Sequence, residues 1–311
     1  MKFELYPVRQ LPNGEILRVY PFHTSLEGHE QRVLCHSDED YDAFVKIICV
    51  CSLRCNTILV MYSVVSNHAH FIVLAQDQKT ADALGSEVKK MYSMYFSRKY
   101  SDPAVLKRTG SKALLIDSEW YLRNAIAYDI RNAMDNGAKN IQSYKWTGFG
   151  ALFCEHVSLS GNRSAEHVSS LSKRRRREIM RTDDDLSTVG WMLDSDGHLI
   201  PATICDRHYA EAAFGHDQAF LLRIIGSVNC GEMQSRLVDG PRQMKTDAEM
   251  LRLVEDICRR WFGVGVHELP IEKKARVLAY VNRTSRTSES QLARVFELSR
   301  EVVARLLGRK G

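Results

Sequence analysis

One stretch constrains this chain more than any other: TILVMYSVV at 57–65, then Ser66-Asn67, then HAHFIVLA at 68–75. The flanks are rich in β-branched and aromatic residues, which pack well on a pleated surface, so strands are expected around the histidines. Successive strand side chains alternate between faces. His68 and His70 therefore project together, while Ala69 points the other way into packing. Two imidazoles on one face are the beginning of a divalent-metal site, because neutral imidazole is a common ligand. Two hydrogen-bonded histidines on a half-buried sheet would leave the same trace, so the pair needs further donors before it means chemistry.

The surrounding periodicities supply a fold. Residues 15–24, EILRVYPFHT, read as a first strand. In 38–55, Phe44, Ile47, Ile48 and Cys51 recur at helical spacing. Residues 79–100 and 118–136 carry two more helical patterns, the last with Ser118 at the N-cap position and Gly137 where a helix terminator belongs. Strand, helix, two strands and two helices indicate a compact α+β layer fold. Periodicity fades after residue 138, which places a boundary near 150–160. The stretch from 160 to 265 reads as mostly helical, with packing as the explanation of its amphipathic segments. Residues 270–283 form a clear amphipathic helix. Two short helices then follow, 288–299 and the SREVVARLLG segment, separated by Glu297-Leu298-Ser299, in the manner of a helix-turn-helix. The second would be the recognition helix, with Arg300 and Arg305 near its exposed side.

At 311 residues the chain has room for a sizeable core and about two domains. The amino-terminal residues lack the apolar run of a signal peptide, and no stretch approaches the ~18 apolar residues of a membrane span. A cytoplasmic, nucleoid-associated protein with no membrane partner is expected. The eight cysteines fall in no paired C-x-x-C arrangement, so buried reduced thiols are expected rather than a zinc site. The net charge of +5 is mild, but KRRRR at 173–177 and the basic carboxyl terminus are dense enough to neutralise phosphates.

A third ligand for the histidines comes from the helix at 118–136. Tyr128 and Asn132 are four apart and share a helix face. An Asn carbonyl can complete a two-histidine site for Mg²⁺ or Mn²⁺, and a tyrosine one turn away could attack a phosphodiester that the ion polarises. Among the other tyrosines, Tyr121 has Ala125 four residues on, Tyr92 has Phe96 and Tyr95 has Lys99, while Tyr100 ends its helix.

With His23 in YPFHT, Ser66-Asn67-His68-Ala69-His70, YSMYFSRKY at 92–100, Tyr128-Asp129-Ile130-Arg131-Asn132 and Tyr144-Lys145-Trp146-Thr147, the chain resembles the single-tyrosine HUH transposases. The likeness is closest to the REP-associated tyrosine transposases and covers about residues 5–150. Ser66 and Ala133 stand where that pattern has prolines, and neither change removes a ligand or the nucleophile.

The resemblance implies a ferredoxin-like antiparallel sheet with helices on one face, spanning residues 1–155. A helical or linker region at 156–265 and a helix-turn-helix-like DNA-binding tail at 266–311 would follow. It implies that His68, His70 and Asn132 hold Mg²⁺ or Mn²⁺ and that Tyr128 attacks single-stranded hairpin DNA, leaving a 5′-phosphotyrosine and a free 3′-hydroxyl. Tyr95, Arg98, Lys99 and Arg131 would contact that DNA, and Arg300 and Arg305 duplex DNA through the tail; a homodimer is compatible with the family. The rival expectations are a DNA-binding regulator with a degenerate or domesticated HUH domain, and a metal-dependent hydrolase that uses water.

Overall fold

A computed structural model describes residues 3–28, 33–102, 106, 111, 113–135, 141, 144–153, 165–228, 233, 247–285, 287 and 289–308. The chain divides into two compact units, Met1–Val228 and Asn229–Gly311.

In the first unit a short hairpin, β1 (Val8–Gln10) with β2 (Ile16–Arg18), precedes the main sheet. The sheet is built from β3 (Tyr20–Glu27), β4 (Ile58–Val64), β5 (His68–Ala75) and β6 (Leu114–Leu115), in the order β4–β5–β3–β6 with every neighbouring pair antiparallel. Helix α1 (Asp38–Arg54) connects β3 to β4, and α2 (Gln78–Tyr100) connects β5 to β6. A β-α-β-β-α-β chain with this strand order is the ferredoxin-like arrangement. Helix α3 (Glu119–Asp135) follows β6; the Ser118 hydroxyl caps it, accepting from the Tyr121 N–H at 3.2 Å. Gly137 lies outside the described residues, as do Cys154 and Cys230. The six described cysteines are free thiols, all but Cys55 buried.

Strand alternation separates two environments. Ala69, Phe71, Val73 and Ala75 of β5 join Phe22, Leu26, Tyr62 and Val64 in one apolar core, closed from above by Phe44 and Ile48 of α1 and by Leu84, Val88 and Tyr92 of α2. His68, His70, Ile72 and Leu74 point to the opposite face. Helices α1 and α2 thus cover one face as expected, and α3 covers the other by packing on β4 and β5.

The expected boundary near residue 155 does not coincide with the end of the first unit. Much of the described segment beyond it packs into the core of the sheet. Val168, Leu171, Met180, Leu186, Leu193 and Leu199 belong to the same cluster as the sheet. Trp146 and Thr147 run antiparallel along the edge of β4: the Val64 N–H donates to the Trp146 carbonyl at 2.9 Å, and the Tyr144 hydroxyl donates to the Val64 carbonyl at 2.6 Å. Gly148 follows, and a Cβ there would lie 2.9 Å from the Met61 sulfur and 3.2 Å from the Tyr62 nitrogen, so this close approach needs glycine. A two-stranded sheet, β7 (Glu166–His167) with β8 (Met192–Leu193), and four helices complete the unit: α4 (Lys173–Met180), α5 (Pro201–Ile204), α6 (Arg207–Ala213) and α7 (Gln218–Ser227). Helices α6 and α7 pack on α3.

The second unit is helical in its described residues: α8 (Asp247–Phe262), α9 (Ile271–Thr284), α10 (Glu289–Phe296) and α11 (Arg300–Leu306). Its core is Val254, Ile257, Val277, Leu278, Val281, Leu292, Phe296 and Val303. A sharp turn joins α10 to α11, with Glu297 in the left-handed region at φ 53° and the Ser299 hydroxyl capping α11 through the Val302 N–H.

Candidate active site

The face under α3 carries polar groups, and most of them are buried. Register sets it: Ser25 of β3 and Ser63 of β4 lie opposite His70, and His23 lies opposite Ile72, one pleat along the same face. Helix α3 brings Tyr121, Tyr128, Asp129 and Asn132 down onto these residues. The His68 and His70 rings are 4.9 Å apart, and the Tyr128 ring is 5.2 Å from His70 and 6.4 Å from His23. The Asn132 side chain hydrogen-bonds His68, whose Nδ1 also pairs with Asn67 Oδ1 at 2.7 Å. The four motif residues are therefore brought together from β5 and α3.

Two more residues belong to this cluster. His23 and Asp129 have no solvent exposure, and His23 Nε2 lies 2.9 Å from Asp129 Oδ1. One ligand atom from each of His23, His70 and Asp129 lies within 4.8 Å of the other two. Burial pushes the His70 imidazole well below its ordinary range, helped by the neighbouring His68 and His23, and burial lowers His68 as well against the opposing bond from Asn132. Both are thereby kept neutral, the form that binds metals. Burial pushes Asp129 the other way, raising its carboxyl against the pull of His23. In the sequence His23 stands out only as the histidine of a first strand, and Asp129 only as the residue after Tyr128; nothing local pairs them.

The donor set fits a divalent cation. His23 Nδ1, His70 Nδ1 and Asp129 Oδ2 are each buried with no hydrogen-bond partner. An orphaned buried polar group costs about 1–3 kcal/mol, so three in one cluster call for an explanation, and a bound cation is one that this donor set allows.

No family model matches the chain, and no curated protein matches it. Among solved structures it is similar to a REP-associated tyrosine transposase bound to a REP hairpin, with 13% identity and a TM-score of 0.36 over 42% of this chain and 76% of that one.

The other expected contacts are placed elsewhere. Tyr95, Arg98 and Lys99 are on α2, across the sheet from Tyr128. The Lys99 ammonium donates to Asp40 Oδ1 at 2.7 Å and Glu39 Oε2 at 2.8 Å, and the Tyr95 hydroxyl donates to Asp40 at 2.7 Å, so both are engaged in holding α2 to α1. Arg98 is exposed on the same helix. Arg131 turns from the site and donates to the carbonyls of Ile225 and Gly226 at 3.2 and 3.3 Å, where a cation complements the end of α7. Arg300 and Arg305 are exposed on α11 of the second unit. That unit carries 16 basic and 11 acidic residues while the first carries 27 of each, so the whole net charge of +5 resides in Asn229–Gly311. Among the described residues no helix is long and apolar enough to cross a membrane.

Proposed function

We propose that the protein is a divalent-metal-dependent DNA strand transferase acting on single-stranded hairpin DNA through Tyr128. The observation that carries this reading is the convergence of His68, His70, Tyr128 and Asn132 from β5 and α3 on one buried point, with the tyrosine ring 5.2 Å from the His70 ring. The Tyr128 oxygen attacks phosphorus, a Tyr–O–P bond forms, the P–O3′ bond breaks, and the phenol loses a proton while the departing 3′ oxygen gains one. The phosphodiester is kept as a covalent link, so the reverse attack rejoins strands with no nucleotide cofactor. A bound Mg²⁺ or Mn²⁺ supplies charge neutralisation at the phosphate oxygens. His68, His70 and Asn132 are the family-type ligands for it, and burial holds both imidazoles ready.

Helix α3 closes the site in this form: Tyr128 is 6% exposed, Asn132 7% and His70 2%. Cleavage therefore requires α3 to lift from the sheet. The second unit, with its excess of +5 and exposed Arg300 and Arg305, is the duplex-DNA contact in this reading. The closed site favours a second reading, a DNA-binding regulator in which the first unit performs no chemistry.

The test is incubation with end-labelled hairpin DNA in Mn²⁺ and in chelator, beside Tyr128→Phe and Tyr121→Phe. A metal-dependent covalent adduct on the 3′-side fragment, lost only in Tyr128→Phe, is expected. Binding without adduct across several hairpins selects the regulator, and cleavage that survives both changes selects hydrolysis by water.

A further inference from the structure

The motif residues are not the best-equipped ligands in this site. Asn132 offers a neutral amide oxygen already engaged with His68. Beneath it lie three groups from three different elements, His23 on β3, His70 on β5 and Asp129 on α3, with ligand atoms mutually within 4.8 Å. His23 and Asp129 are 0% exposed and His70 2%, and each retains one buried polar atom with no partner.

We propose that the cation is seated in the triangle of His23, His70 and Asp129, with Asp129 rather than Asn132 supplying its oxygen ligand. This rests on the reading of the site as a metal-dependent strand-transfer centre and deepens it. A carboxylate is a stronger oxygen donor for a divalent ion than an amide, and it cancels one of the ion's two charges inside a dry site, where uncompensated charge is costly. Two imidazoles and one carboxylate with open positions suit first-row transition ions. Mg²⁺ prefers oxygen ligands, and two of these three donors are nitrogens. The ligand class is therefore Mn²⁺, Fe²⁺ or Co²⁺ ahead of Mg²⁺. His68 and Asn132, paired with each other, become positioning residues at the edge of the ion's site. The placement also puts a ligand directly next to the nucleophile in sequence, so the ion and α3 would be held or released together.

The test uses the full chain stripped of metal, with Mn²⁺ as probe. Free Mn²⁺ is followed by electron paramagnetic resonance during titration of wild type, Asp129→Asn, His23→Gln and Asn132→Ala, with circular dichroism to verify folding. Even outer partners of a metal site cost ~10–100-fold in affinity, so Asp129→Asn and His23→Gln, which remove ligands, should each lose at least ~10-fold and more than Asn132→Ala. Mg²⁺ should compete poorly. Pulsed resonance on the wild type gives a readout that needs no unstable variant: two imidazole nitrogens should couple to Mn²⁺, with both couplings kept in His68→Gln and one lost in His23→Gln. Full affinity in Asp129→Asn with loss in Asn132→Ala, both couplings surviving in His23→Gln, or no Mn²⁺ binding by the wild type would overturn the assignment. If the assignment fails while the Tyr128 adduct forms, strand transfer stands. If Mn²⁺ sits in the triangle and no hairpin yields an adduct, strand transfer falls and the metal site stands.

Discussion

Asp40 and Asp129 are both fully buried, one on each side of the sheet, and the fold treats them in opposite ways. Asp40, at the start of α1, is saturated. It accepts from the backbone N–H groups of His36 and Ser37, the hydroxyls of Tyr95 and Tyr100, and the Lys99 ammonium, at 2.6–3.0 Å. Burial opposes its charge, but these bonds together outweigh burial and hold the carboxyl well below the usual carboxylate range. Asp129 has His23 on one oxygen and nothing on the other, and burial wins, raising it. A carboxylate with every lone pair used is a finished clamp between two helices. A carboxylate with one oxygen unpaired beside two histidines is the oxygen donor proposed above for the cation.

The contrast between the two aspartates can be tested by four measurements. Asp40→Ala should be the most damaging, about 3 kcal/mol by chemical denaturation, because it leaves two tyrosine hydroxyls without their acceptor and takes from Lys99 its buried carboxylate partner; a cost near zero would mean that the clamp is ornamental. Second, the pH profile of stability should carry Asp40's signature. Its folded value lies below the unfolded ~3.9, so the stabilisation is present above about pH 4 and lost as pH falls below it, at up to ~1.4 kcal/mol per pH unit. Asp40→Asn should flatten that acid limb.

Third, the charge of the second unit can be read through salt. Replacing Arg300 and Arg305 by Ala should reduce the log–log salt slope of duplex-DNA binding by about 1.8, at roughly 0.9 per lost phosphate contact. An unchanged slope would move the contact away from α11. Last and smallest, Asp129→Asn measured in chelator should leave stability at pH 7 unchanged or higher by no more than about 1 kcal/mol. Its folded value is raised, so whatever stability its proton brings is present at low pH and is lost as pH rises through the folded value, and the amide is free of that loss. A large penalty would make His23–Asp129 a structural ion pair and weaken the ligand reading.

The parts of this molecule that were legible beforehand are those with a local period. Alternation in HAHFIVLA set His68 and His70 on the face away from Phe71, and the strand spans Ile58–Val64 and His68–Ala75 follow. The helical spacing of Phe44, Ile47 and Ile48 marked α1, Ser118 marked the start of α3, and the four-residue step from Tyr128 to Asn132 put them on one face. The extent of the first unit was not legible, because its last helices are short and are tied to it by packing on α3, which no local period shows.

The α2 residues show what a local reading leaves out. Interleaved Tyr95, Arg98 and Lys99 have the composition of a nucleic-acid surface, yet Lys99 and Tyr95 are spent on Asp40, 59 and 55 residues away. Local pattern fixes the chemistry available on each element: imidazoles on one strand face, a tyrosine and an amide on one helix face. Which of these groups meet is a matter of register and packing. His23 finds Asp129 across 106 residues because antiparallel register aligns β3 with β5 and because α3, not α2, closes the histidine face. A residue's period along the chain fixes the direction its side chain points; the partner waiting there is set by register and packing, which no local period encodes.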